Sequence, residues 1–143
     1  MIKAFNELTT TELYEILRLR SEIFVVEQTC VYQDLEGDID YRSFHVFHME
    51  DGKCVAYLRC FWRDEEQKVA QIGRVVTLEH GKGWGGRILK EGIDFCVNVF
   101  KAQSIYLEAQ CYALGYYEKY GFKVISDELM IDGIPHKKMM YVV

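Results

Sequence analysis

Glycines at 81, 83, 85 and 86 share six positions with Lys82 and Trp84, and the cationic side chains of Arg87 and Lys90 follow directly. Ile88, Leu89, Ile93, Cys96 and Phe100 then recur at helical spacing, so the glycine-rich stretch opens a helix. The first turn of a helix leaves backbone N–H groups without acceptors, at the positive end of the helix dipole. Glycines without side chains let an anion approach those donors, and the guest that fits is a phosphate or diphosphate.

Three chemistries compete for such a loop. Gly81-x-Gly83-x-x-Gly86, with Glu108 some twenty residues on, matches dinucleotide-binding spacing. That fold starts with this turn and continues through several parallel βα units, whereas here antiparallel strand patterns precede the loop and little chain follows it. A nucleoside-triphosphate loop needs Ser or Thr after Gly-Lys, and Gly83 stands there. A tight turn without a ligand is the remaining alternative.

The elements around the loop follow from pattern and punctuation. Ile2–Asn6 suits a short strand. Thr9 with Glu12 has capping-box spacing, and Leu13, Ile16, Leu17, Arg20 and Phe24 place a helix over 10–24. The segment 25–32 reads as a further helical turn or irregular chain, and the acidic stretch from Asp34 to Asp40 as a solvated loop. Two strands, 43–50 and 53–62, meet at Asp51-Gly52, a favoured hairpin dipeptide, and 68–78 is the third strand of the meander. After the helix come a strand at 104–110, a short helix at 112–120 stopped by Gly121, and a hairpin of 122–131 with 136–143 around Asp132-Gly133. The order predicts an α/β (α+β) fold: a mixed, mostly antiparallel sheet with helices on both faces.

Composition narrows the partners. The chain has 143 residues, half of them apolar, with a single proline and no repeat, which predicts one domain over residues 1–143. A net charge of −5 argues against nucleic acid, while the local cations still favour an anionic ligand at the loop. No apolar run reaches membrane-spanning length and no signal-peptide core is evident, so the expectation is a cytoplasmic protein without a membrane partner. Five cysteines without C-x-x-C pairing read as reduced, mostly packed thiols and point away from a structural metal.

The Gly-Lys-Gly-x-Gly-Gly loop after a third meander strand, followed by helix, strand and the phrase Tyr116-Tyr117-Glu118-Lys119-Tyr120-Gly121-Phe122, resembles the GNAT acetyltransferases over nearly the whole chain. Within that superfamily it looks most like the small ElaA-like acyltransferases, through Phe24-Val-Val-Glu-Gln28, Gly73-Arg74-Val75, Leu107-Glu-Ala-Gln110 and Asp132-Gly-Ile-Pro-His136. His80 departs from the pattern, in which the loop usually starts with Gln or Arg.

The resemblance implies acetyl-CoA as cofactor, its diphosphate on the amides of Lys82, Gly83, Trp84, Gly85 and Gly86 beside Arg87. The pantetheine arm would run along Val75, Val76 and Thr77, in a cleft where that strand splays from 104–110. It implies transfer of an acetyl group to an amine of a small molecule, lysine side chain or chain N-terminus. A non-catalytic acyl-CoA-binding sensor or interaction module is the alternative. A lysine-like amine is neutral in only roughly one molecule in 2,500 at pH 7, a penalty of about 4.6 kcal/mol. A general base or ordered water is therefore worth having. His136 is the candidate base, since an imidazole with its ordinary value near 6.5 suits the task. Tyr117 is the candidate acid for the leaving thiolate, and a strand N–H near Val76 the donor to the acyl oxygen. Glu27, His45, Arg74 and Glu108 are candidate acceptor-pocket residues, with structural salt bridges and a core histidine as alternatives. Exposed strand edges leave a homodimer open.

Overall fold

The structure is a computed structural model that describes residues 1–28, 33–78 and 83–143. Lys82, with His80 and Gly81, lies outside the described residues, as does Cys30.

The elements in chain order are β1 (Ile2–Ala4), α1 (Thr10–Arg20), α2 (Gly37–Arg42), β2 (Phe44–Glu50), β3 (Lys53–Asp64) and β4 (Val69–Thr77), then α3 (Trp84–Asn98), β5 (Ser104–Gln110), α4 (Leu114–Glu118), β6 (Lys123–Val124), β7 (Leu129–Ile131) and β8 (Ile134–Val142). They form one eight-stranded sheet in the order β1-β2-β3-β4-β5-β8-β6, with β7 also paired to β8. All pairs are antiparallel except β4–β5. No described helix is long and apolar enough to cross a membrane.

Local signals act where the sequence places them. Thr9 Oγ1 accepts from Glu12 N–H at 3.0 Å and Glu12 Oε1 accepts from Thr9 N–H at 2.9 Å, closing the capping box that starts α1. At Arg20 the helix passes into a π-helical stretch, Ser21–Glu27, ending at Gln28. Both hairpin turns have two consecutive positive φ angles, at Asp51 (51°) and Gly52 (78°) and at Asp132 (50°) and Gly133 (76°), as the tight primed turn requires.

Strand alternation sorts the core onto two faces. Val46, Ala56, Leu58, Cys60, Ile72, Ile105 and Leu107 pack beneath α3, while Phe47, Tyr57 and Val76 pack beneath Ile16 and Leu19 of α1. Helices therefore cover both faces. Cys54, Cys60 and Cys96 are buried free thiols and Cys111 is half-buried.

The acidic stretch is the main correction to the sequence reading. It carries a helix, α2, and two of its carboxylates, Asp34 and Asp40, are buried. Asp40 pairs with Arg20 (2.9 Å) and Arg59 (2.8 Å); Asp34 pairs with Arg20 (3.2 Å) and Arg74 (2.9 Å); Glu36 pairs with Arg59 (2.7 Å) and Arg74 (2.8 Å). Charge runs are solvated by default, but three arginines from α1, β3 and β4 converge here and carry the acids inward.

Candidate active site

The parallel pair β4–β5 is short. Val69, Ala70 and Gln71 register with Ser104, Ile105 and Tyr106, and pairing then stops although both strands continue. Beyond that apex the strands diverge, as expected, and a cleft of about 1630 Å³ opens between them. Next to the apex β4 carries a bulge: registers with β3 jump from Tyr57↔Val76 to Arg59↔Gly73, and Arg74 has φ 53°, a left-handed conformation for a residue with a side chain. The bulge turns Arg74 toward Asp34 and Glu36, so it ties the α2 segment to the cleft edge.

One end of the cleft is the start of α3. Gly83 occupies the N-cap in a left-handed conformation (φ 75°), with no side-chain cap and no acid in the first turn. The first helical bond is Arg87 N–H to Gly83 O, so the amides of Trp84, Gly85 and Gly86 precede the helical ladder. Arg87 lies over the Trp84 ring at 4.7 Å, and Arg87 and Lys90 line the cleft. Among the described residues, a helix start with no side-chain cap and no acid in its first turn, flanked by Arg87 and Lys90, fits a diphosphate.

The tyrosines of α4 are sorted by their partners. Tyr116 donates its hydroxyl to Gly85 O, and Tyr120 seats its hydroxyl where a Cβ on Gly86 would lie. A Cβ at Gly86 would displace the Tyr120 hydroxyl and one at Gly85 would crowd that of Tyr116, because α4 packs on the start of α3. Tyr117 lines the cleft, and among the described residues its hydroxyl has no hydrogen-bond partner. Burial, then the neighbouring Tyr116 and Tyr112, pushes its phenol well above the ordinary value. Burial likewise raises Tyr116 to about 12.

The opposite lip belongs to β8. His136 registers with Gln110 and lines the cleft. Its Nδ1 lies 2.7 Å from Ile134 O. A carbonyl oxygen only accepts, so Nδ1–H donates and the neutral ring keeps its lone pair on Nε2. Glu27 and Glu108 also line the cleft, Glu108 accepting from Tyr106 Oη at 3.0 Å. Gln28 and Gln110 exchange side-chain hydrogen bonds at 3.2 and 3.4 Å, joining the end of the π-helical stretch to the end of β5. Both glutamines belong to motifs noted in the sequence, but nothing local revealed that they meet.

Two expectations change. His45 does not line the cleft: it is buried, donating Nε2–H to Asp40 O (3.0 Å) and accepting on Nδ1 from Tyr57 Oη (2.6 Å). Burial, reinforced by the charges of Arg20 and Arg59, lowers its proton affinity although Asp40 opposes this, so it is a neutral core histidine. Arg74 lines the cleft, but it also takes the structural alternative: among the described residues its carboxylate partners are Asp34 and Glu36, in a salt-bridge cluster.

A family model for the acetyltransferase (GNAT) domain matches residues 12–143. The chain belongs to the GNAT acetyltransferases. Among curated relatives, protein ElaA of Escherichia coli is 33% identical over 134 residues, covering 92% of this chain and 88% of that protein. A UPF0039 protein of Schizosaccharomyces pombe is 38% identical over 141 residues, covering 96% and 92%. A crystal structure described as an acyl-CoA N-acyltransferase from Pseudomonas aeruginosa superposes with TM-score 0.91 at 33% identity, covering 99% of this chain and 98% of that one. Escherichia coli ElaA superposes with TM-score 0.91 at 30% identity, covering 99% and 97%. The GNAT chain is thus an acyltransferase of the ElaA-like kind, and the cleft between β4 and β5 is its candidate active site.

Proposed function

We propose that this GNAT protein is an acetyl-CoA-dependent N-acyltransferase that moves an acetyl group directly to an amine within the β4–β5 cleft, and that residues 1–143 act as one unit. The observation carrying the reading is the divergence of β4 from β5 beside a glycine-lined helix start with no side-chain cap among the described residues. Gly83, Trp84, Gly85 and Gly86, with Arg87 and Lys90, would hold the diphosphate. Lys82 belongs to the same loop by sequence. Bound there, acetyl-CoA supplies the activated thioester.

The residues of the chain then divide the work. Beyond Gln71, β4 has no strand partner on its β5 side among the described residues, so Val75–Thr77 can pair with a strand-like pantetheine arm. Leu78 N–H donates to Val55 O, which turns position 78 toward β3. By alternation Val76 also faces β3, and Val75 and Thr77 turn their amides to the cleft. The donor to the developing negative acyl oxygen is therefore the Val75 amide, beside the bulge, rather than Val76 itself.

Nε2 of His136 takes the proton of the attacking amine, directly or through one water. The phenol of Tyr117, uncommitted and held protonated by burial, protonates the departing thiolate. Glu27 and Glu108 at the acceptor side favour a cationic amine over a neutral competitor.

Tyr117→Phe tests the reading. We expect kcat with a broad amine panel to fall about 100-fold or more, the range for a positioned acid, with acetyl-CoA affinity by calorimetry held within about twofold. Tight coenzyme binding by the unaltered protein with no amine turned over would remove the transfer step.

A further inference from the structure

The sheet face that meets α1 continues past the apex of the cleft as a polar strip that acetyl transfer alone does not require. Register places Arg59 and Phe61 of β3, Gln71 of β4 and Tyr106 and Glu108 of β5 on this face. Arg63, two residues beyond Phe61, reaches across β4 and lies over the Tyr106 ring at 3.8 Å. Its Nη1 donates to Gln71 Oε1 at 3.1 Å. Tyr106 in turn donates its hydroxyl to Glu108 at 3.0 Å. Arg63, Gln71 and Glu108 line the cleft, and the buried Tyr106 lies between Arg63 and Glu108.

Arg63 differs from its neighbours. Of the cleft-lining arginines on this face, Arg42, Arg59 and Arg74 each have a carboxylate partner. Arg63 has none among the described residues, and its Nε and Nη2 are not engaged by a hydrogen bond. A guanidinium stacked on an aromatic ring and pinned by one amide has already lost much of its rotamer freedom. Its remaining fork matches a carboxylate bidentately.

We propose that Arg63 is the anchor for a carboxylate on the acceptor, so that the substrate is an amino acid or a peptide-like compound bearing both an amine and a carboxylate. This rests on the transferase reading above and names its substrate class. The acceptor spans the cleft from Arg63 to Glu108, with its carboxylate on the Arg63 fork and its ammonium end toward Glu108 and the thioester. Because a phenol ring separates the two charged sites, spacers of several bonds fit better than the single carbon of an α-amino acid. γ-Aminobutyrate and Nα-acetyl-lysine are therefore better acceptors than glycine.

The test compares glycine, β-alanine, γ-aminobutyrate and Nα-acetyl-lysine with their own carboxamides as acceptors, in the unaltered protein and in Arg63→Gln. The expected result is kcat/KM at least tenfold higher for the longer carboxylates than for their amides. Arg63→Gln should shrink that ratio to about twofold or less, through acceptor KM and with KM for acetyl-CoA unchanged. Equal turnover of acids and amides, a uniform loss on both in Arg63→Gln, or a preference for phosphoethanolamine over every carboxylate overturns the proposal while leaving the transferase standing. If no amine is turned over, the transferase reading fails by itself. Calorimetry of N-acetyl-γ-aminobutyrate against its carboxamide, with coenzyme A present, then decides the carboxylate site: Arg63-dependent selectivity for the acid supports it, and its absence overturns it.

Discussion

Replacing Asp40 by Asn removes one negative charge from a buried cluster while keeping side-chain shape. The described members are Arg20, Arg59 and Arg74 against Asp34, Glu36 and Asp40, so their charges balance, and Asp40 touches two of the three cations within 2.9 Å. Burial alone would raise the Asp40 carboxyl; the hydrogen bonds and charges of Arg20 and Arg59 hold it below the usual carboxylate range. The arginines are 1% and 3% exposed at the side chain, so water cannot compensate the missing charge. Breaking a buried pair this way costs about 3–5 kcal/mol. At roughly 0.05–0.15 kcal/mol per residue, that is a large part of the stability of a domain this size. The melting temperature should fall by about 6–20 °C, with a matching shift of the urea midpoint. Glu22→Gln, which removes the exposed partner of Arg18, is the control, and should cost less than about 1 kcal/mol. Because Asp40 also accepts from Glu36 N–H, acceptor KM should rise in Asp40→Asn at temperatures where the protein is still folded. A loss below about 1 kcal/mol would show that the cluster is solvated and that the physical account of this cleft wall is wrong.

Tyr116→Phe removes the hydroxyl held by Gly85 O and should weaken acetyl-CoA binding about fivefold, near 1 kcal/mol for one net hydrogen bond; unchanged binding by calorimetry would separate α4 from the helix start. His45 has a lowered proton affinity in the folded protein, so the unfolded chain binds more protons below its own value near 6.5. Stability is then full above that pH and falls on acidification by about 1.4 kcal/mol per pH unit until the folded value is reached. Urea midpoints between pH 7 and 5 check the slope, and an NMR titration that shows His45 protonating near 6.5 would contradict it. Because the Tyr117 phenol is raised, it stays protonated to higher pH, and kcat should show no phenol-dependent decline below pH 10; a basic limb near pH 9 that disappears in Tyr117→Phe would refute this.

Short-range chemistry made much of this protein legible from its residues. The capping box at Thr9 and Glu12, the primed turns at Asp51-Gly52 and Asp132-Gly133, and the glycine-lined start of α3 each depend on neighbours a few positions apart. Spacing therefore encodes them, and the glycine-lined helix start at one end of the cleft could be read without coordinates. The acceptor side could not. Asp34 and Asp40 read as solvated acids because their partners are 40 and 20 residues away, at Arg74 and Arg20. His45 shared a strand face with plausible pocket residues, yet which part of that face opens to water depends on how α1 and α2 lie across the sheet. The exchange between Gln28 and Gln110 spans 82 residues, and the turn of Arg74 into the wall needs a bulge set by its pairing with β3. Local hydrogen bonding and hydrophobic period determined the elements and the glycine-lined start of α3. Only the packed sheet decided which charges meet, because electrostatic partners are chosen by distance in space.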